Sequence, residues 1–229
     1  MNTVITFISD THNKHAYCTP DLPGGDILIH CGDMSSQGYE HELHAFLKWF
    51  SKQKYEHKVF IAGNHDWIFE RNPARAQEIL TNYPDVTYLQ DSSVELMGLK
   101  FYGSPWQPAF YNWAFNLPRN GDELKEKWAQ IPNDTDILIT HGPPLHILDY
   151  VLWSQMSAGC LLLQHRVFEL QPLIHVFGHI HSSGIKTVSH LPNTLFINAS
   201  CINERYDYTF KPITVEIDKN KNIVQDDYL

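Results

Sequence analysis

Short apolar runs alternate with longer amphipathic stretches along this chain. Residues 4–9, 26–31, 57–62, 136–140 and 173–177 are β-branched or aliphatic runs without a polar face. They have the length and composition of strands covered on both sides of a sheet. Between them the period lengthens. Residues 39–51 place Leu43, Phe46, Leu47 and Phe50 on one helical face. Residues 73–81 open on Pro73, which is pre-set for a first helical turn. Residues 121–130 carry Asp122 and Glu123 where a helix N-terminus favours negative charge, and residues 158–170 give a further helix. A second set of strands, 94–97, 99–102, 184–188, 194–198 and 213–217, reads as antiparallel, with a tight hairpin around Gly98. Strands alternating with helices predict a layered α/β domain. The later strands are expected to form a second sheet packed on the first. No linker divides the chain, so residues 1–229 are read as one domain.

Composition narrows the class. A 229-residue chain with 43% hydrophobic and 19% charged residues has the make-up of a globular protein with a large core. Its formal net charge of -9 argues against a surface that tracks long nucleic acid. It leaves room for a small phosphorylated substrate, because bound cations would set the local field. The apolar run at the N-terminus lacks a basic lead and is read as a strand rather than a signal peptide. No run reaches the roughly 18 to 20 apolar residues of a membrane helix, so no membrane partner is expected. Cys18, Cys31, Cys160 and Cys201 show no CxxC spacing. They are expected to be free thiols in a reducing compartment, which places the chain in the cytoplasm.

The chemistry stands where the strands stop. Ser9-Asp10-Thr11-His12, Gly32-Asp33, Gly63-Asn64-His65-Asp66, Thr140-His141-Gly142 and Gly178-His179-Ile180-His181 each close an apolar run with metal-seeking side chains. A packed core has no use for such a set. In layered α/β folds the loops at the carboxyl ends of strands converge on one crevice, so these distant segments can meet. Asp10 and His12, like His179 and His181, are two residues apart and in extended backbone face the same side. A carboxylate after a glycine, such as Asp33, can turn sharply and bridge two ions. The mixture of N and O donors suits borderline first-row metals such as Mn, Fe, Zn, Co or Ni rather than thiolate-seeking ions. Two such ions about 3.5–4 Å apart would clamp a phosphoryl group and activate a shared water. Two dications against two Asp leave a positive pocket in an acidic protein.

The set Asp10-x-His12, Gly32-Asp33, Gly63-Asn64-His65-Asp66, His141 and Gly178-His179-x-His181, in that order, resembles the calcineurin-like metallophosphoesterase superfamily. Residues 101–108 and 140–144 resemble its small metallophosphoesterase-domain-containing (MPPED-like, 239AB) branch. The resemblance implies a four-layer-type sandwich of two mixed β-sheets flanked by helices. It implies that Asp10, His12, Asp33 and His181 hold one divalent ion, and that Asp33 bridges to a second held by Asn64, His141 and His179. Manganese is the expected ion, with Fe, Zn, Co or Ni as alternatives, and a bridging hydroxide is the expected nucleophile. His65 would face the substrate and protonate the leaving oxygen instead of binding metal, with Asn64 also in contact. Asp66 would orient His65 or serve a helix N-terminus. The Tyr ligand that purple acid phosphatases place three residues after the bridging Asp is here Ser36, so no Fe(III)–Tyr site is expected.

The implied activity is a metal-dependent phosphodiesterase on small organic or nucleotide phosphodiesters. The alternatives are a phosphomonoesterase, or a nucleotide-binding regulatory protein with weak turnover. Among the remaining histidines, His30 and His175 read as hydrogen-bonded core. His15 and His146 read as structural, with a place in the pocket as the alternative. Of the aromatic cluster Trp106, Phe110, Tyr111, Trp113 and Phe115, Trp106 is the expected substrate contact, since aromatic faces accept planar groups. Tyr206, Asp207, Tyr208 and Phe210 read as a closing loop.

Overall fold

The structure is a computed structural model that describes residues 2–182 and 187–226. Two six-stranded mixed sheets form its centre. In chain order the strands are β1 (Thr3–Ile8), β2 (Gly25–His30), β3 (Tyr55–Phe60), β4 (Val86–Tyr88), β5 (Ser92–Leu96), β6 (Leu99–Ser104), β7 (Gln107–Pro108), β8 (Asn116–Leu117), β9 (Ile137–Thr140), β10 (Tyr150–Val151), β11 (Met156–Ser157), β12 (Ile174–Phe177), β13 (Thr187–Leu191), β14 (Thr194–Asn198), β15 (Ile213–Ile217) and β16 (Ile223–Asp226). The helices are α1 (Glu40–Phe50), α2 (Ile68–Arg71), α3 (Pro73–Leu80), α4 (Asp122–Ala129) and α5 (Leu161–Leu170). The first sheet runs β16-β15-β1-β2-β3-β4 and the second β13-β14-β12-β9-β6-β5.

Alternation along each strand divides its side chains between two layers. From β1, Ile5 and Phe7 enter the core between the sheets, where they join Ile29, Val59, Phe101, Ile137, Ile139, Val176 and Ile197. Ile8, Leu28 and Phe60 face the other way, onto Leu43, Phe46, Leu47 and Phe50 of α1 and Ile79 of α3. On the far side Tyr102, Leu138 and Phe196 meet Leu124 and Trp128 of α4 and Leu163 and Val167 of α5. Helix, sheet, sheet and helix thus make four layers.

The pairing corrects two sequence expectations. The strand at 194–198 runs parallel to β12 and antiparallel only to β13. The strand at 213–217 leaves the second sheet and pairs antiparallel with β1. Strands 137–140 and 174–177, which read like those of the first sheet, lie at the middle of the second. Both sets are buried on two faces, so their composition cannot say which sheet they join. Of the expected strand at 184–188, residues 184–186 lie outside the described residues.

The two sheets are staggered so that their carboxyl ends meet. Ser9, just past β1, bridges Ser200, just past β14, and the Cys201 amide donates to Ser9 O at 3.0 Å. Two core histidines support this edge. His175 lies against the Thr140 hydroxyl at 2.8 Å, and that hydroxyl donates to Gly142 O. The His175 Nε2 therefore carries the proton, and its buried Nδ1 has no partner. Burial depresses the His175 pKa to about 3. Burial is also the main cause that takes His30 to about 3. Its Nδ1 accepts from the Gly32 amide and its Nε2 faces Thr11 Oγ1 at 2.9 Å.

A buried neutral histidine stabilises the fold fully above its unfolded pKa near 6.5. That contribution is lost as pH falls from there toward 3. The slope is about 1.4 kcal/mol per pH unit per group. In urea unfolding with chelator between pH 6 and 4.5, His175→Leu should flatten the pH dependence by about that slope. Parallel curves for the two proteins would rule this out.

Candidate metal centre

Loops after β1, β2, β3, β9 and β12 bring all seven expected ligands to one place. Asp10 and Asp33 are buried carboxylates on adjacent loops, and His12 and His141 lie beside them. The His181 Nε2 is 3.3 Å from Asp10 Oδ1. Asp33 Oδ2 is 3.6 Å from His12 Nε2 and 3.4 Å from His141 Nε2. Asn64 Oδ1 is 3.0 Å from His141 Nε2. Two sets of potential ligand atoms result, Asp10/His12/His181 and Asp33/His141/His179, with Asp33 also grouped with His12 and His65. The Asp33 carboxylate therefore lies between the two sets.

The backbone is bent to achieve this. Asp10, His12, Asp33 and His179 have φ of 54°, 39°, 57° and 67°, a region that costs most non-glycine residues about 1–2 kcal/mol. Such strain persists where the surroundings enforce it, typically at functional sites. Two glycines permit the crowding. A Cβ on Gly178 would stand 2.1 Å from Asp10 Oδ2, and one on Gly63 would stand 2.3 Å from Asp33 Oδ1.

The neighbouring backbone fixes which ring nitrogen faces the centre. His12 Nδ1 is 3.1 Å from Ser35 O, and His141 Nδ1 is 3.0 Å from Cys31 O. A carbonyl can only accept, so each Nδ1 carries a proton and each Nε2 is the atom turned inward. His12 Nε2 is buried without a hydrogen-bond partner, a costly arrangement for a ring nitrogen unless a cation takes its lone pair.

Charge agrees with this chemistry. Burial opposes ionisation of Asp10, yet the hydrogen bond from His181 and the nearby His141 hold its carboxyl well below the usual range. Asp33 behaves likewise against burial, through His141, His65 and His12. Burial takes His12 down to about 4 and His179 to about 3, leaving both rings neutral. Burial also works against protonation of His141, but the Asp33 and Asp10 carboxylates raise it to about 9. A cation arriving there at neutral pH would release that proton. Two ionised carboxylates, an amide oxygen and four imidazoles fit divalent first-row ions.

His65 sits apart. Its Nδ1 donates to Ser36 O at 2.7 Å, its Nε2 is 4.0 Å from Asp33 Oδ2, and its ring lies 4.1 Å from that of Trp113. Asp66 does not orient it. The Asp66 carboxylate points inward and accepts from the amides of Asp33, Ser35 and Gly63 and from the Ser35 hydroxyl. Burial, then repulsion from Asp33, raises it to about 6. Asp66 is therefore a clamp that ties the Asp33 loop to the Asn64 loop, and it reaches neither substrate space nor the His65 ring. Nor does it serve a helix N-terminus through its side chain, since α2 begins at Ile68.

The structure also reveals supports that the sequence reading missed. Glu42, three residues into α1's N-terminal turn, accepts from the amides of Ser36, Gln37 and Tyr39 and from Asn13. It thereby braces the loop whose carbonyls hold His12 and His65. A glutamate at the third position of a helix is a recognisable capping signal, so this one was legible in principle.

Above the ligands opens a cleft of about 830 Å³, with Asn64, His65, His179 and His181 in its lining. Trp106 is not in that lining. Its Nε1 donates to Asp91 at 2.8 Å, Lys127 covers its face and Phe115 packs on its edge. It is a structural residue, and Phe115 is core. Trp113 and Phe110 do line the cleft, the former against the His65 ring and the latter 5.0 Å from the His179 ring. His15 is buried against Trp49, outside the cleft. Tyr206 does line the cleft and lies 4.9 Å from the His12 ring. The four cysteines are buried free thiols. Among the described residues no helix is long and apolar enough to cross a membrane.

Comparison with known proteins gives the same picture. A sequence model of the calcineurin-like phosphoesterase family matches residues 3–183. The chain is 39% identical over 240 residues to human metallophosphoesterase domain-containing protein 1, covering 94% of this chain and 71% of that protein. It is 37% identical to UPF0046 protein T07D4.2 of Caenorhabditis elegans, covering 92% of this chain and 59% of that protein. The solved structure of TT1561 of Thermus thermophilus superposes with a TM-score of 0.67 at 14% identity, covering 97% of each chain, a likeness of fold.

Proposed function

From the premise that this chain belongs to the calcineurin-like phosphoesterase family and is a metal-dependent phosphoesterase, we propose that it hydrolyses small organic or nucleotide phosphodiesters at a two-cation centre. The observation that carries the reading is the Asp33 carboxylate, in reach of His12 on one side and His141 on the other. Asp10, His12 and His181 would hold the first cation, and Asn64, His141 and His179 the second, with Asp33 shared. Bound there, the cations would offset phosphoryl charge and acidify a water. Manganese is the ion proposed, in a protein of the cytoplasm.

The chain's own residues do the rest. Asp66 and Glu42 hold the loops so that the donor atoms stay aimed without rearrangement, as electrostatic catalysis requires. The hydrogen bond from His65 Nδ1 to Ser36 O leaves Nε2 as the only nitrogen that can present a proton to the cleft. Protonated at Nε2, His65 gives that proton to the departing oxygen. Trp113 covers one face of the ring and limits its access to water.

The cleft, about 830 Å³, supports the diester reading because it leaves space for two organic arms. With Mn2+ added, kcat/KM for bis(4-nitrophenyl) phosphate should exceed that for 4-nitrophenyl phosphate by about tenfold or more. The reverse order would make the chain a phosphomonoesterase.

A further inference from the structure

The cleft has two walls, and the chemistry described so far uses its floor and, of the walls, only Trp113. One wall is the β7–β8 loop, with Phe110, Tyr111 and Trp113. The other is the hairpin of β10 and β11, which contributes Val151, Trp153 and Met156. Its tip is open: Trp153 is 71% exposed, Met156 65% and Leu152 55%, while Tyr111 of the other wall is 82% exposed. Large apolar side chains at such exposure on one small hairpin are unusual unless something covers them. From residue 150 to residue 164 there is no charged side chain, in a protein whose net charge is -9.

The hairpin is held firmly. At its root Arg119 donates to Ala158 O and to Gly159 O at 2.8 Å, Asp149 accepts from the amides of His146 and Gly159, and the Cys160 amide donates to Pro143 O. At its tip the Leu152 amide donates to the Ser182 hydroxyl, one residue beyond His181. The hairpin backbone is thus tied beside the ligand loop. Fixing a surface before binding is what lets apolar contact discriminate between ligands.

We propose that Trp153 and Met156, which line the cleft together with Tyr111, form an apolar clamp for the organic arm that stays on the phosphorus. The substrate class is then a phosphodiester with an uncharged apolar arm several carbons long. This rests on the diesterase reading above. Apolar contact is worth about 0.8 kcal/mol per buried methylene, so lengthening that arm raises affinity steeply while the reacting groups stay the same. The absence of charge along the hairpin matches an uncharged arm, although Ser154 and Ser157 of the hairpin and the Arg119 side chain also line the cleft.

The test uses two substrates with the same leaving group, 4-nitrophenyl methyl phosphate and 4-nitrophenyl hexyl phosphate, and the full chain with Mn2+. For the wild type the hexyl ester should show kcat/KM about tenfold or more above the methyl ester. The double variant W153A/M156A alters side chains on an exposed hairpin and leaves the ligands intact. It should bring the hexyl-to-methyl ratio to about 3 or less. A wild-type ratio near 1, or a ratio unchanged in the variant, overturns the clamp while the diesterase reading stands. No turnover of either ester by the wild type would instead end the diesterase reading, and the clamp with it. Sedimentation of both proteins, alone and with phosphatidylcholine vesicles, completes the test. A dimer or a vesicle-bound form lost in W153A/M156A would mean that the hairpin covers a second copy or a lipid surface, and would also overturn the proposal.

Discussion

Asp33→Asn should remove diester turnover almost entirely, by about 10³-fold, the upper end of what deleting one electrostatic stabiliser costs. The substitution keeps the size of the side chain and its oxygen toward the His65 amide, which is 2.8 Å from Oδ1. What it removes is the charge and the second oxygen at the position between His12 and His141. An amide presents one good ligand oxygen, so a shared ligand becomes a one-sided one. The same change takes away one of the carboxylates that raise His141 to about 9. The expected result is a chain that folds, with a helical and sheet spectrum like the wild type, and binds fewer than two cations. Retained turnover with two cations bound would show that Asp33 is not shared.

The second large effect belongs to His65. His65→Ala should leave both cations in place, because none of the seven assigned ligands is changed. It should lower kcat by about 10²–10⁴-fold, the usual worth of a positioned general acid. The loss should depend on the leaving group. 4-Nitrophenolate departs without a proton and should show the small end of the range, whereas an alkoxide needs one and should show the large end. A variant that loses a cation would make His65 a ligand, in keeping with its grouping beside His12 and Asp33. An equal loss for both leaving groups would leave it as a binding residue without an acid role.

The contrast between Asp66 and His65 shows what a sequence can and cannot say. Both stand in Gly63-Asn64-His65-Asp66, and both are polar residues after a strand. The metal-seeking residues were legible because they fall at strand ends, where topology gathers loops irrespective of detail. The direction in which each side chain turns is set by backbone dihedrals and by hydrogen bonds to loops about 30 residues away, such as Asp66 to Asp33 and Ser35. No local pattern encodes those. Trp106 and Trp113 make the same point. They share a Pro- and aromatic-rich stretch, yet the Asp91 carboxylate and Lys127 draw one into the structure while the other reaches His65.

The fold was legible to a similar depth. Helix α1 could be read from its four-residue apolar spacing almost to its ends, since burial of Leu43, Phe46, Leu47 and Phe50 decides where it lies. Pairing partners could not. Strand β15 alternates Ile213, Val215 and Ile217 inward in a way that suits either sheet. Only the full set of neighbours places it beside β1. The β10–β11 hairpin was also missed, because its two-residue strands are too short to show a period.

If two cations share Asp33, phosphodiester hydrolysis should depend on both. The most direct measurement is the rate on bis(4-nitrophenyl) phosphate as Mn2+ is titrated into chelator-treated protein, with bound metal counted at each point. No turnover is expected without metal, and the rate should rise and level off when two ions are bound per chain. Turnover that is full at one ion, or absent at every metal content, would contradict this dependence.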